Sequence, residues 1–480
     1  MTKEVGVTVK KSVDFSDWYT QCVIKSGIAD YSPGKGFIIL RPYGYAIWEN
    51  IKEILDDQFK KTGHKNGFLP VLIPESLLTV EKNHFEGFMP EVYWVTKSGN
   101  NDLGEKLAVR PTSETLAYSM FSKWISSYRD LPLKLNFWNS ALRAEIKSTK
   151  PLIRNSEFLW QEGHTAHSNE KEASDEVRMI LDLYKMLIEE YLAIPTVSGL
   201  KTDKEKFVGA NYTTCLESLM PDGKALQMAT SHNLAQNFSK PFEIKFLDKD
   251  TAEHFVWQTS WGISWRVIGA LIMVHGDDKG LILPPKISPT QVIIVPIYKD
   301  ESKEIVKQKA YELENKLKDS NIRVYTDDRD EFTSGWKFNE WEMKGVPLRV
   351  NIGIRDIREE QVELIRRDTR ERFYVKEKDL VNETLSILEN IQSNMYHLAK
   401  NYLLTNTRNA TRLDELLTML DSSGGFVACS WCGKRECEDL VKEKTTADIR
   451  IIPFNIKKNI SSCIACGKEG TTEVYFGRAY

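Results

Sequence analysis

Along the first 285 residues the apolar positions switch repeatedly between helical spacing and strand alternation. Trp48, Ile51, Ile54, Leu55 and Phe59 predict a helix over Trp48–Lys60, which Gly63 ends. GFLPVLIPESLL follows as an extended run holding Pro70 and Pro74. Val177, Ile180, Leu181, Tyr184, Leu187, Ile188 and Tyr191 share one side of a predicted amphipathic helix from Lys171 to Tyr191, with Pro195 at its end. Strand-like segments recur around Lys224–Ala229, Phe242–Leu247 and Phe255–Thr259, before the apolar run Val267–Val274. This succession predicts an antiparallel sheet dressed with helices.

The pattern changes after LILPPKISPT, where Pro284, Pro285 and Pro289 cluster. Strands at Gln291–Ile297, Arg323–Thr326, Pro347–Ile352 and Val362–Arg366 alternate with helices at Glu301–Lys318 and Ser334–Met343, which is the pattern of a small α/β domain. A helix over Leu380–Thr405 opens the last region. The expected organisation is α+β and multidomain: residues 1–285, 286–388 and 389–480. No repeat of solenoid period is present.

At 480 residues the chain exceeds one ordinary core, which agrees with that division. Its 65 basic and 68 acidic residues leave a net charge of −3, so any contact with a polyanion must be local. Val267–Val274 is far too short to span a membrane, and the N-terminal MTKEVGVTVKKSVDF lacks the apolar stretch of a secretion signal. Five of seven cysteines lie in the final segment, which is no disulfide framework. A cytoplasmic protein without a membrane partner is expected.

Candidate chemistry concentrates in FWNSALRAEIKSTKPLIRNSEFLWQEGHTAH, Phe137–His167. Alternation places Phe137, Asn139, Ala141, Arg143 and Glu145 on one side of a first strand and Phe158, Trp160, Glu162 and His164 on one side of a second. Buried charge needs a partner or a ligand, so this shared face predicts a pocket for ATP and an amino acid. Arg143 suits an α-phosphate or carboxylate, Arg154 the outer phosphates, and Phe158 a purine face. In RPTSET, Thr112 and Glu114 can receive an ammonium group, although the same residues would also cap a helix over Leu116–Ile125. In SWGISWRVIGALIMVHGDD, Arg266 precedes the apolar run, which would otherwise be a buried strand beside a surface arginine. TSHNL adds Thr230, Ser231 and His232, with Gln227 just upstream.

ACSWCGKREC and CIAC supply Cys429, Cys432, Cys437, Cys463 and Cys466. Two short pairs separated by a longer loop suit a structural zinc site with four thiolates. Cys432, Cys437, Cys463 and Cys466 are the expected ligands, with Cys429 as competitor.

With these strings in order, the chain resembles class II aminoacyl-tRNA synthetases, and within them prolyl-tRNA synthetases of the archaeal and eukaryotic type, from about Asp14 to Tyr480. GFLPVLIPESLL is similar to the first motif, with Pro74 at a dimer-forming strand and helix; Phe137–His167 to the second; and GISWRVIGALIMVHGDD to the third. The resemblance implies an antiparallel class II catalytic domain, an α/β anticodon-binding domain and a small α+β zinc-binding domain. It implies a proline pocket of Thr112, Glu114, Arg143, Trp160, Glu162, His164 and His232. ATP would be held by Arg143, Glu145, Arg154, Asn155, Phe158, Gln227, Thr230, Ser264 and Arg266, with Asn155 and Ser264 standing where relatives often carry threonine. Arg143 and Arg266 would be catalytic, with Mg2+ held largely through the phosphates. Lys337, Glu340, Arg349 and Arg355 are the expected anticodon contacts. Tyr480, in the terminal FGRAY, would fold back towards the active site. L-proline, tRNA(Pro) and a second copy of the chain are the implied partners. The long editing insertion of many bacterial relatives has no room between His167 and Ser260.

Overall fold

Leu133–Leu142 pairs antiparallel along its length with Glu157–His167, and this hairpin lies near one end of the main sheet, beside the short edge strand Lys65–Asn66. Phe137 faces Glu162, Asn139 faces Trp160 and Ala141 faces Phe158, so the expected shared face exists up to Ala141. The strand then ends. Arg143 is irregular and Glu145 lies in a turn, because the first strand gives way to the connecting loop. The computed structural model describes residues 6–82, 91–145, 148–455 and 461–480.

From the hairpin the sheet continues through Trp257–Ser264, Ala225–Ala235, Tyr212–Leu219 and Val197–Leu200, each antiparallel to the last. Glu170–Met186 packs across one side of it, continued by a wider turn over Leu187–Tyr191. Pro42–Lys61 contributes Ile47, Trp48, Ile51, Leu55 and Phe59 to the same core. It starts before Trp48 because Pro42 sits in the first turn, where its missing N–H costs nothing.

The apolar run Val267–Val274, for which a buried strand is the alternative reading of the sequence, is most of a helix, Arg266–His275, buried from Val267 to Met273. A segment apolar on every side carries no period by which helix and strand could be told apart. The strand expected over Phe255–Thr259 divides: Glu253–Phe255 pairs with Lys245–Leu247 as a separate hairpin, while Trp257–Ser264 joins the main sheet.

The second domain is a five-stranded sheet ordered Val324–Thr326, Val292–Ile297, Leu348–Gly353, Gln361–Arg366 and Arg372–Lys376, its first three strands parallel. Arg372–Lys376 was not foreseen, its apolar positions being hidden among the charges of RDTRERFYVKEKD. Leu380–Thr405 is one unbroken helix. Its first half enters the core of this domain, while Leu403 packs with Leu219, Ala225 and Phe426. The expected boundary at residues 388 and 389 therefore falls inside a strut shared by neighbouring units.

The C-terminal region does not stand apart either. Asp448–Pro453 pairs antiparallel with Val197–Leu200, and Thr472–Gly477, Phe426–Trp431 and Thr407–Asn409 extend the catalytic sheet to eleven strands. Among the described residues no helix is long and apolar enough to cross a membrane.

Gly199 makes the junction possible, since a Cβ there would lie 2.1 Å from the carbonyl oxygen of Ile452. Gly199→Val should destabilise the chain by about 1–3 kcal/mol through this overlap, read as a lower denaturant midpoint. An unchanged midpoint would show that the two strands can part without cost.

Candidate active site

Above the hairpin, the strands Trp257–Ser264 and Ala225–Ala235 close a cavity of about 490 Å³. It is lined by every residue expected for ATP and proline: Thr112, Glu114, Arg143, Glu145, Arg154, Asn155, Phe158, Trp160, Glu162, His164, Gln227, Thr230, His232, Ser264 and Arg266. Gly262 lies between Glu162 and Thr230 in the sheet register, leaving the floor free of a side chain at its centre.

One end is acidic. Glu162 is buried and accepts from the Ser113 N–H at 3.2 Å and from Asn139 Nδ2 at 2.8 Å; the Ser113 hydroxyl donates to its other side, and His164 Nε2 lies 3.3 Å away. Thr112 donates to Glu114 and lies 3.4 Å from Glu162. The two proposals for RPTSET prove compatible, for Glu114–Trp124 is a helix and both Thr112 and Glu114 still line the cavity. Ser113 does not cap that helix with its side chain; it binds Glu162.

Burial lifts the Glu114 carboxyl above its ordinary range, His164 partly offsets this, and the Glu162 charge adds to it. Burial would also raise Glu162, but the hydrogen bond and charge of His164, with Asn139 and Ser113, hold it low. For His164 burial opposes charging, yet the bond to Glu162 and both nearby carboxylates lift it above its ordinary value. His232 behaves in the opposite way: burial, with repulsion from His164, takes it down to about 3, so it is a neutral ring. Its Nδ1 lies 2.9 Å from the Thr213 hydroxyl and its face 4.8 Å from the Phe207 ring.

The other end is basic. Arg143 lies over Phe158 at 5.3 Å and Trp160 at 6.0 Å, held by its N–H on the Ser156 carbonyl at 2.7 Å. Arg154 is exposed at the rim; its backbone closes a tight turn with Lys150. Burial, reinforced by Arg143, takes the Arg266 guanidinium down to about 10, and its Nε has no partner among the described residues. Both amide atoms of buried Asn155 are likewise unpaired. Three guanidinium groups facing one space, with donors left open, suit a polyphosphate.

Sequence reasoning missed Ser113, Tyr118, Glu205, Phe207 and Thr213. Tyr118 OH lies 3.2 Å from His164 Nδ1, and Glu205 and Phe207 are cavity walls. None carries a charge-and-aromatic pattern of its own; only the fold brings them to the site. Tyr480 is outside this cavity. Its hydroxyl donates to Asp222 at 2.6 Å, and its ring lies between the Lys150 and Lys224 ammonium groups at 4.8 and 5.0 Å.

In the C-terminal domain the ligand atoms of Cys432, Cys437, Cys463 and Cys466 all lie within 4.8 Å of one another, with Sγ separations of 3.5 Å for Cys432–Cys437 and 3.9 Å for Cys432–Cys466. Tetrahedral zinc with bonds of about 2.3 Å requires edges of roughly 3.8 Å, so the cluster fits the ion. Cys429 is not in the cluster; its sulfur faces the Val427 carbonyl at 3.7 Å inside the domain core.

In the second domain a cavity of about 250 Å³ is lined by Phe338, Trp341, Glu342, Arg349 and further arginines. Arg349 lies over Phe338 at 4.0 Å, with its Nε unpaired. Lys337 and Glu340, expected at the same surface, are committed to internal contacts. Lys337 is buried with Nζ on the Asp327 carbonyl at 3.1 Å, and Glu340 pairs with Arg329 and Lys344. They sit on the inward side of Ser334–Met343. Arg355 is exposed, outside the cavity lining.

Residues 93–275 match the family described as tRNA synthetase class II core domain (G, H, P, S and T), residues 291–387 the anticodon binding domain, and residues 413–480 the prolyl-tRNA synthetase C-terminal domain. The proline–tRNA ligase of Cenarchaeum symbiosum is 55% identical over 478 residues, covering 99% of this chain and 100% of its own; that of Natranaerobius thermophilus is 52% identical, covering 98% and 97%. The crystal structure of prolyl-tRNA synthetase from Cryptosporidium parvum complexed with halofuginone and AMPPNP aligns with a TM-score of 0.94 at 42% identity, over 99% of this chain and 100% of that one. The chain belongs to the proline–tRNA ligase family of class II aminoacyl-tRNA synthetases.

His164, its imidazole lifted by the bond to Glu162 and the two nearby carboxylates against the opposing effect of burial, contributes stability present below its ordinary value of 6.5 and lost as pH rises through its higher folded value. An NMR titration of the imidazole should show a midpoint above that of a free histidine, falling in Glu162→Gln. A midpoint unmoved by that substitution would separate His164 from Glu162.

Proposed function

We propose that this chain activates L-proline with ATP to prolyl-adenylate and pyrophosphate, then transfers the prolyl group to the 3′ end of tRNA(Pro). The opposite charge of the two ends of one cavity carries this function: carboxylates at one end for a secondary ammonium, guanidinium groups at the other for phosphates. Glu114, Glu162 and Thr112 hold the proline amine, His164 keeps Glu162 in place, and Trp160 and His232 lie beside the ring. A resident metal at this end is disfavoured because Glu162 is already occupied by donors from Ser113 and Asn139. Arg154, Asn155, Gln227, Thr230 and Ser264 hold ATP, with its adenine against Phe158.

Arg143 stands between the two ends and orients the proline carboxylate towards the α-phosphate. No side-chain nucleophile is needed. The reaction is accelerated by alignment and by Arg143 and Arg266 offsetting charge on the pentacoordinate phosphate. Mg2+, when bound, would neutralise the outer phosphates; the exposed carboxylate of Glu145 is the cavity group suited to it. The four cysteines would hold a structural zinc ion, since four thiolates fill its coordination shell.

The second-domain cavity, with the Arg349–Phe338 stack and an edge able to bond a base, is the proposed anticodon site. A homodimer is supported by exposed Phe68, Val71 and Trp94 around Leu72–Pro74, where the first motif lies. The gathering of five cysteines as free thiols supports a reducing, cytoplasmic setting.

Arg143→Ala should reduce proline-dependent ATP–pyrophosphate exchange by at least about 10²-fold while leaving the circular dichroism spectrum unchanged. Exchange near the parent rate would remove Arg143 from the mechanism. A ring-shaped pocket discriminates by only ~1–3 kcal/mol per methylene, so alanine should also be activated weakly. With no separate domain between the second and third motifs, the purified protein should leave alanyl-tRNA(Pro) intact; rapid deacylation would refute that. Arg349→Ala should leave pyrophosphate exchange unchanged and raise KM for tRNA in aminoacylation.

A further inference from the structure

The loop between Val197–Leu200 and Tyr212–Leu219 supplies two walls of the acidic end of the cavity, Glu205 and Phe207. Its second half is fastened to the main sheet, through the Phe207 N–H on the Thr213 hydroxyl and the Asn211 N–H on the Asn233 carbonyl, and its first half to the C-terminal domain. The Thr202 hydroxyl donates to Glu438 Oε1 at 3.0 Å and accepts from the Glu205 N–H at 3.3 Å; the Thr202 carbonyl accepts the N–H groups of Glu205 and Lys206. Lys204 pairs with Asp439 at 2.6 Å. At the base of the loop, buried Lys201 donates to Glu217 at 2.6 Å and to the Arg450 carbonyl at 2.8 Å.

Glu438 and Asp439 belong to the helix Arg435–Thr445, which also carries Cys437. A path therefore runs from Cys437 to the adjacent Glu438, on to Thr202 and then to Glu205. At its other end, the Phe207 N–H bonds to the Thr213 hydroxyl, which also meets His232, so the loop spans from the C-terminal domain to the ring side of the pocket. Thr202 and Glu438 are both buried, so this bond is shielded from competing water.

We infer that Thr202 is a positioning residue through which the C-terminal domain fixes the loop 201–211 over the amino-acid half of the active site, setting affinity for the amino acid and not for the nucleotide. The inference rests on the assignment of that half of the cavity to proline. It makes the C-terminal domain a part of substrate selection and not only a stabilising appendage.

The test compares Thr202→Val, which removes both hydroxyl bonds at constant shape, with Thr202→Ser, which keeps them, in the full-length protein. Thr202→Val should raise KM for proline about 5–10-fold in pyrophosphate exchange with KM for ATP within twofold, as expected for losing a buried hydrogen bond that acts on one substrate. It should also speed hydrogen exchange at the Glu205 and Lys206 amides, and Thr202→Ser should restore both readouts. Parent-like exchange at those amides, or equal rises in both KM values, would overturn the inference. Amide exchange reads the coupling whichever amino acid is activated, so failure of the proline assignment appears separately, as absence of proline-dependent turnover in the parent chain.

Discussion

The burial of one carboxylate, Glu162, constrains the architecture around it. An ionised carboxylate removed from water costs several kcal/mol unless the protein supplies hydrogen-bond donors and countercharge. Here the donors come from separate places in the chain: Ser113 before a helix, Asn139 on the first hairpin strand and His164 on the second. Each has to be in register for the others to reach. A slip of one residue between the strands would turn Glu162 to the opposite face of the sheet and leave Ser113 without its acceptor. The same arrangement that satisfies Glu162 leaves Glu114 beside it with its carboxyl lifted, ready to pair with an incoming amine.

The basic end follows a different rule. There Arg266 Nε and both amide atoms of Asn155 are buried without partners among the described residues. Buried polar groups are normally satisfied, so a concentration of exceptions along one cavity wall marks positions at which a ligand completes the hydrogen bonding. The two ends therefore differ in preorganisation. The amine end is already bonded internally and presents a fixed charge, whereas the phosphate end holds its donors open, with Arg143 and Phe158 stacked between them.

How much of this was legible in the sequence depended on whether a residue's role is local. The hairpin, the helix Leu380–Thr405, the alternation of the second domain and the four-cysteine cluster were all readable, because period and spacing carry them. The motif residues of the cavity were readable through family resemblance, since strings such as FLWQEGH keep their order. Ser113, Tyr118, Glu205 and Phe207 were not, because serine, tyrosine and a lysine-rich loop have no signal until the fold brings them to Glu162, His164 and His232. The run Val267–Val274 was ambiguous between helix and strand for a different reason: full burial erases the period. The internal partners of Lys337 and Glu340 were not legible, because a charged residue on a helix gives no indication of which side faces the domain's own aspartate and arginine.

The continuity of the sheet into the C-terminal domain changes what that domain can do. A domain attached by a linker could be lost without altering the site, but Asp448–Pro453 is hydrogen-bonded to Val197–Leu200, and Glu217 is enclosed by Lys201 and Arg450 from the two sides of the junction. Glu217 faces Gln227 in the register, which lines the phosphate end. Two cations around one fully buried carboxylate leave an excess positive charge behind that wall, on the side where a triphosphate would lie. Withdrawing Arg450 would leave Glu217 with Lys201 alone and reduce that excess. The junction therefore bears on both halves of the cavity: through hydrogen bonds to the loop at the amine end, and through unscreened charge at the phosphate end, where low polarity lets it act over a longer range.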